Sequence, residues 1–174
     1  GDAVPSDHHF SDNVYGSLED DIWRRDFTIN ALYYNIADFS LVDFSGAMED
    51  LNSRVIKLIG DPVQRFREDP VRMLRAARFA AKLDFSIDAD TLSPIATMAS
   101  ELQSIPPARL FDETLKLLLG GCAVKTYQCL KELSLFEELF PVVFNGMETG
   151  EFDERLLLKA LGNTDERKRQ GKPV

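Results

Sequence analysis

Two short polar blocks in this 174-residue chain hold charged residues at spacings that ordinary surface charge rarely repeats. The first is Arg24-Arg25-Asp26-Phe27-Thr28-Ile29-Asn30-Ala31-Leu32, and the second runs Arg67-Glu68-Asp69-Pro70-Val71-Arg72-Met73-Leu74-Arg75-Ala76-Ala77-Arg78. Placed on a helix, Asp26 and Asn30 stack one turn apart, with Arg25 on the adjacent flank. A carboxylate and an amide on one stripe can bond both hydroxyls of a ribose, while an Arg fork suits phosphate. The same pattern also fits a helix end with a surface Arg–Asp pair and a capping role for Asn30. In the second block a helix opened by Pro70 carries Arg72, Arg75 and Arg78 at i+3 steps, beside an apolar stripe of Leu74, Ala77 and Ala81. That row advances about 9 Å along the axis, roughly one nucleotide from base edge to phosphates. Glu68 and Asp69 stand at the helix entrance beside Arg72. A carboxylate acceptor next to a guanidinium donor can read the hydrogen-bonding edge of a base, leaving Arg75 and Arg78 for a triphosphate. The alternative is a solvated Arg row with Glu68 paired to Arg72 at i+4.

The elements that must position these residues are mostly helical. The spacing predicts a helix from Asp20 to Asn35, on which Phe27, Ala31 and Tyr34 form an apolar row and Asp26, Asn30 and Tyr33 a second face. Phe39–Phe44 and Arg54–Ile59 read as two short strands of a hairpin. Helices are expected over 62–67, 70–83, 89–101, 107–119, 123–133 and 152–162, with turn residues at Pro106-Pro107, Gly120-Gly121 and Pro141–Gly150. Residues 163–174 are polar and expected to fray. The predicted class is therefore α+β, predominantly α: residues 1–60 hold a helix and a short β-hairpin, residues 61–162 an all-helical body, and 163–174 a tail. Two short strands cannot bury a sheet face alone, so the sheet reads as incomplete.

Composition narrows the class. No run approaches the roughly 18 apolar residues that span a bilayer, so no membrane partner is expected. Cys122 and Cys129 have no Cys-x-x-Cys or Cys/His neighbours and read as free thiols in a reducing compartment, which gives a cytoplasmic expectation. His8 and His9 beside Asp7 lie in an unpatterned loop, and no metal site is assigned to them. The net charge of −9 is unevenly spread. Arg54 to Lys82 contains eight basic and three acidic residues, a local +5 that leaves −14 for the rest. A positive island in an acidic chain suits a triphosphate or a strand end better than a long duplex, although clustered Arg also makes solvated helix faces.

Taken together and in this order, the blocks resemble the motifs of the class II nucleotidyltransferases, the family of bacterial poly(A) polymerases and CCA-adding enzymes. Arg-Arg-Asp-Phe-Thr-Ile-Asn-Ala-Leu is similar to the family's ribose-recognition motif. Glu-Asp-Pro-x-Arg-x-x-Arg-x-x-Arg is similar to its protein template for the incoming base. Asp43-Phe44-Ser45-Gly46-Ala47-Met48-Glu49-Asp50-Leu51 resembles its hinge segment, with Ala47 where a second Gly is usual. The resemblance spans Asn13 to Pro141. Within it, Arg67–Leu74 and Ile105–Phe111 look more like poly(A) polymerase than like CCA-adding enzyme. It implies that Arg25, Asp26 and Asn30 contact sugar and phosphate and that Glu68, Asp69 and Arg72 read the base. It further implies that Arg75 and Arg78 bind phosphate or brace the site, and that Arg109, opening a helix after Pro106-Pro107-Ala108, lies near the RNA. The family also uses Mg²⁺ held by an Asp-x-Asp pair on a strand after a Gly-rich turn. No such turn and pair precede the first block, and Asp20-Asp21 and Glu68-Asp69 are adjacent residues that cannot both face one side of a sheet. The expectation is an inactive fragment of an enzyme that adds AMP from ATP to RNA 3′ ends. The alternatives are a CCA-adding enzyme and a non-catalytic helical RNA-binding module.

Overall fold

A computed structural model describes residues 18–174; His8 and His9 lie outside them. Helix α1 (Leu18–Arg24) is followed by Phe27 in extended conformation, a 3-10 turn (Thr28–Asn30) and the hairpin β1 (Leu32–Asn35)–β2 (Ser40–Asp43). The expected helix over Asp20–Asn35 therefore ends at Arg24. The aromatic and β-branched residues Phe27, Thr28, Ile29, Tyr33 and Tyr34 fit an extended backbone better than a helix interior. Backbone pairing secures the change: Ile59 N–H donates to the Asp26 carbonyl (2.9 Å), Thr28 N–H donates to the Lys57 carbonyl (3.0 Å), and Phe27 bridges Leu58. The helical face of Asp26, Asn30 and Tyr33 does not exist.

The hairpin is also paired differently from expectation. β2 runs antiparallel to the upstream β1, in register Leu32↔Asp43 to Asn35↔Ser40. The residues expected as its partner instead give β3 (Val55–Ile56), which lies parallel to β4 (Ser86–Ile87). Helix α2 (Ala47–Ser53) separates β2 from β3, and the local sequence builds it firmly. Asp43 accepts the N–H groups of Ser45 (3.0 Å), Ala47 (2.9 Å) and Met48 (2.9 Å). Gly46 takes the left-handed φ of +77° that the turn needs. The buried Ala47 methyl then starts the helix, so replacing a second Gly here carries no backbone penalty.

After β3 the chain is helical. α3 (Pro62–Glu68) is capped by Asp61, which accepts Gln64 N–H at 2.7 Å, and α4 (Val71–Leu83) follows Pro70. The predicted helix over 89–101 is broken into α5 (Ala89–Leu92), α6 (Ile95–Met98) and a 3-10 turn (Ala99–Ser104). Pro94 lacks the N–H that a continuous helix requires. α7 (Pro107–Leu118) and α8 (Ala123–Glu132) match expectation. Two short helices absent from the sequence reading follow, α9 (Phe136–Leu139) and α10 (Pro141–Glu148). The last helix, α11 (Glu154–Arg169), runs past Asn163, where fraying was expected. It is held because Asp165 accepts the first N–H groups of α8, Ala123 at 2.6 Å and Val124 at 3.1 Å.

α4 is the centre of the core. Val71, Met73, Leu74, Ala76, Ala77, Ala80 and Ala81 are all buried, and its small alanines let α8 approach closely. The same apolar cluster takes in Phe27, Ile56 and Leu58 from the N-terminal part and reaches Leu161 on α11. None of the helices is long and apolar enough to cross a membrane among the described residues.

Candidate nucleotide-binding site

Asp26 leaves the chain where α1 gives way to the extended Phe27, a position fixed by the Ile59 bond to its own carbonyl. Its carboxylate meets α4. Arg72 Nε donates to Oδ1 at 2.9 Å and Arg75 Nη1 donates to Oδ2 at 2.6 Å. The three side chains are 15%, 12% and 27% exposed. Burial alone pushes the Asp26 carboxyl up, but the bonds from Arg72 and Arg75 outweigh it and hold the group below its ordinary range.

The charge chain continues outward in both directions. Arg75 Nη2 reaches Glu113 on α7 at 3.4 Å, and Lys116 Nζ donates to the same oxygen at 2.8 Å. Glu113 is buried, and these two cations keep its carboxyl ionised against desolvation. On the other side Arg72 Nη1 donates to the Arg65 carbonyl (2.7 Å) and contacts Glu68 (3.4 Å). Arg65 in turn donates to the Arg25 carbonyl at 2.8 Å. The buried Arg65 Nε has no hydrogen-bond partner among the described residues. Arg25 faces away from Asp26. Its guanidinium donates to Asp21 (3.0 and 3.2 Å), to Tyr33 Oη (2.9 Å) and to the Asn30 carbonyl (2.8 Å). Tyr33 Oη also donates to Asp21 at 2.6 Å.

The residues singled out in the sequence thus fall into three groups. Asp26, Glu68, Arg72 and Arg75 come together, and Asp69 joins them at the α3–α4 junction. Arg109 belongs to this site as well, since its Nη2 donates to Asp69 Oδ2 at 2.7 Å. Arg25 and Asn30 form a neighbouring group, linked through Arg65, with the Asn30 side chain exposed. Arg78 is not brought to Asp26; it lies over the Phe79 ring, 5.0 Å from its centroid, and opens into another cleft. The Glu68–Arg72 pair of the plainer reading does form, but Arg72 also carries the long-range contact to Asp26. Glu113 and Arg65 escaped sequence reasoning. Glu113 left a signal, a lone carboxylate between Leu110 and Leu117 on the apolar stripe of α7.

One Asp-x-Asp spacing also escaped it: Asp88-Ala89-Asp90. It does not supply a metal pair. Asp88 caps α5 by accepting the N–H groups of Asp90 and Thr91, each at 3.2 Å, and Asp90 is exposed. Among the described residues no three His, Cys, Asp or Glu side chains gather as a metal would require.

Known proteins resemble this chain over most of its length. Residues 2–57 match the poly A polymerase head domain, and residues 84–147 match the model described as the probable RNA and SrmB-binding site of polymerase A. Poly(A) polymerase I of Salmonella typhi is 54% identical over 158 residues, covering 90% of this chain and 34% of that protein. The chain belongs to the class II nucleotidyltransferases. A CCA-adding enzyme of Staphylococcus epidermidis is 34% identical over 132 residues, covering 75% of this chain and 33% of that protein. Among solved structures, the Bacillus stearothermophilus CCA-adding enzyme in complex with CTP superposes with a TM-score of 0.63 at 39% identity, over 68% of this chain and 30% of that one. The fold is thus shared with a solved CCA-adding enzyme. The chain spans about a third of the length of the relatives it matches.

Proposed function

We propose that this chain is the nucleotide-reading part of a cytoplasmic, template-independent RNA nucleotidyltransferase, a poly(A) polymerase that transfers AMP from ATP to RNA 3′ ends. In this reading residues 1–60 complete the head domain, residues 61–162 form the neck and body, and 163–174 a polar tail. The observation that carries it is the clamp of Asp26 on Arg72 and Arg75, which joins the two motif blocks into one site. The greater identity to poly(A) polymerase I than to CCA-adding enzyme supports the choice of ATP.

The chemistry assigned to each side chain follows from its contacts. Arg72 Nη2 is uncommitted among the described residues and supplies a donor to the base edge, while Asp69 supplies the acceptor. Asp69, itself largely buried, is shared with the half-exposed Arg109, whose guanidinium can swing into solvent and free the carboxylate for a base. Asp26 is a positioning residue, because two bonds fix the planes of Arg72 and Arg75 before substrate arrives. Arg25 and Asn30 flank the sugar, and Arg75 faces phosphate. Mg²⁺ in this family neutralises the leaving pyrophosphate and activates the primer hydroxyl. The described residues do not fit that metal pair: Asp26 and Glu113 are each committed to two cations, and Asp88 is a helix cap. No step through the metal is assigned to them.

The test is AMP and CMP incorporation by the full-length protein in Mg²⁺, with an oligo(A) primer and with a tRNA lacking its terminal CCA. Repeated AMP addition to oligo(A), with little CMP, is the expected result. Ordered C, C and A addition to the tRNA would replace this reading with the CCA-adding one. Binding of RNA with no incorporation of either nucleotide would make the protein a non-catalytic RNA-binding module.

A further inference from the structure

Arg78 is turned about 120° around α4 from Arg72, because each i+3 step rotates about 60°. It therefore leaves the Asp26 site and enters an open cleft of about 520 Å³ between α4 and α7. Lys82, one turn further along α4, lines the same cleft, and so do Lys116 from α7 and Lys168 from α11. No carboxylate lines it among the described residues. Lys116 is partly neutralised by Glu113, at 2.8 Å, but Glu113 also serves Arg75. Arg78, Lys82 and Lys168 make no ion pair among the described residues. The remaining wall is apolar, with Phe79 and Leu119. Four cations around one cavity repel each other, and in a chain of net charge −9 such a concentration is not a by-product of composition.

We infer that this cleft binds the phosphodiester backbone of single-stranded RNA just behind the 3′ end. A triphosphate has the same phosphate chemistry, but three features favour a strand. Neither Asp26, Arg72 nor Arg75 lines the cleft, whose link to their site runs through Glu113, paired with Arg75 and with Lys116. Arg78 and Lys82 stand one turn apart on α4, with Cβ atoms about 5–6 Å apart, so the cations are spread along one wall, in keeping with a strand and not one compact group. The flanking Phe79 and Leu119 offer a surface to sugars and bases, as groove-type single-strand binders do. The segment matched to the RNA-binding model, residues 84–147, contains Lys116 but not Arg78, Lys82 or Lys168, so these three extend the RNA surface beyond it.

The inference rests on the RNA-tailing function proposed above, and RNA affinity measured without ATP separates the two. The full-length protein and its K82Q/K168Q variant are titrated with labelled oligo(A) at several salt concentrations, and KM for ATP is measured alongside. The expected result is at least about fivefold weaker RNA binding and a salt slope smaller by about 1.4, the release expected for two phosphate contacts on a single strand. KM for ATP should stay unchanged, and K82R/K168R should bind RNA normally. Unchanged RNA affinity and slope would overturn the inference, as would a raised KM for ATP, which would make the cleft a triphosphate site. Competition by polyglutamate as strong as by oligo(A) would assign it to an acidic protein segment and equally overturn it. Crosslinking needs no variant: RNA carrying 4-thiouridine should attach to wild-type protein within residues 78–82 or 115–122, and attachment only elsewhere contradicts the placement. A wild-type protein that binds RNA here but transfers no AMP would defeat the enzymatic reading and leave this one standing.

Discussion

Asp26 carries one negative charge against two guanidiniums in a largely buried setting, so removing that charge takes the shortest ion pair from both Arg72 and Arg75 and leaves each only a 3.4 Å ion pair, to Glu68 and Glu113. Asp26→Asn should cost about 2 kcal/mol in chemical denaturation, below the 3–5 kcal/mol of a fully buried pair because solvent still reaches Arg75. The same group makes stability depend on pH. Its carboxyl is held lower in the folded protein than its ordinary 3.8, so its contribution is present above that value and is lost as pH falls below it. Melting curves from pH 6 down to 2.5 should therefore fall less steeply for Asp26→Asn than for wild type. Base choice belongs to the same scale. In the full-length enzyme Arg72→Ala should lower kcat/KM for ATP roughly ten- to a hundredfold more than for CTP, the worth of about 1–3 kcal/mol of base-edge bonding. An equal loss for both nucleotides would reduce Arg72 to a bracing role. The charged residues of this site were legible as types and spacing, and Arg72 beside Asp69 could be placed from helical geometry. The contact of Asp26 with Arg72 and Arg75 was not, because it crosses more than 40 positions and depends on a strand pairing that no local pattern encodes.

At the scale of elements, α11 holds α8 by a cap donated from a distant segment, and the carboxylate of Asp165 does this without help from neighbouring side chains. Asp165→Ala should destabilise the chain by about 1 kcal/mol, readable as a lower thermal midpoint with unchanged helical content. The two-stranded hairpin is the opposite case. Tyr34, Ile36, Phe39 and Leu41 are exposed on it, and among the described residues a small cluster of Ile22, Ala31 and Ile59 with Tyr33 supports it. In hydrogen exchange its amides, residues 32–43, should exchange faster in the isolated chain than those of α7 and α8; equal protection would contradict this. The long amphipathic helices α4, α7 and α8 were legible because their apolar period carries through successive turns, even where Glu113 interrupts it in α7. The segment from Asp26 to Ile59 was not. There Phe27, Ala31 and Tyr34 keep a helical period while their neighbours favour extension, and the backbone bonds to residues 57–59 decide between the two.

Over the whole molecule, no three His, Cys, Asp or Glu side chains gather as a metal would require among the described residues. The isolated 174-residue chain should accordingly extend no RNA in a primer assay with ATP and Mg²⁺, and tailing that survives repurification would refute this. The Asp26 clamp has a mechanical meaning as well. One end of it is fixed to the α1–β3 part of the chain and the other to α4, the most buried helix. Any rocking of the first part against the helix must break two charge-assisted bonds and expose Phe27. The two parts are therefore geared together and turn as a single lever. Movement that opens or closes a site built on them has to bend the chain on either side of that lever and not through it.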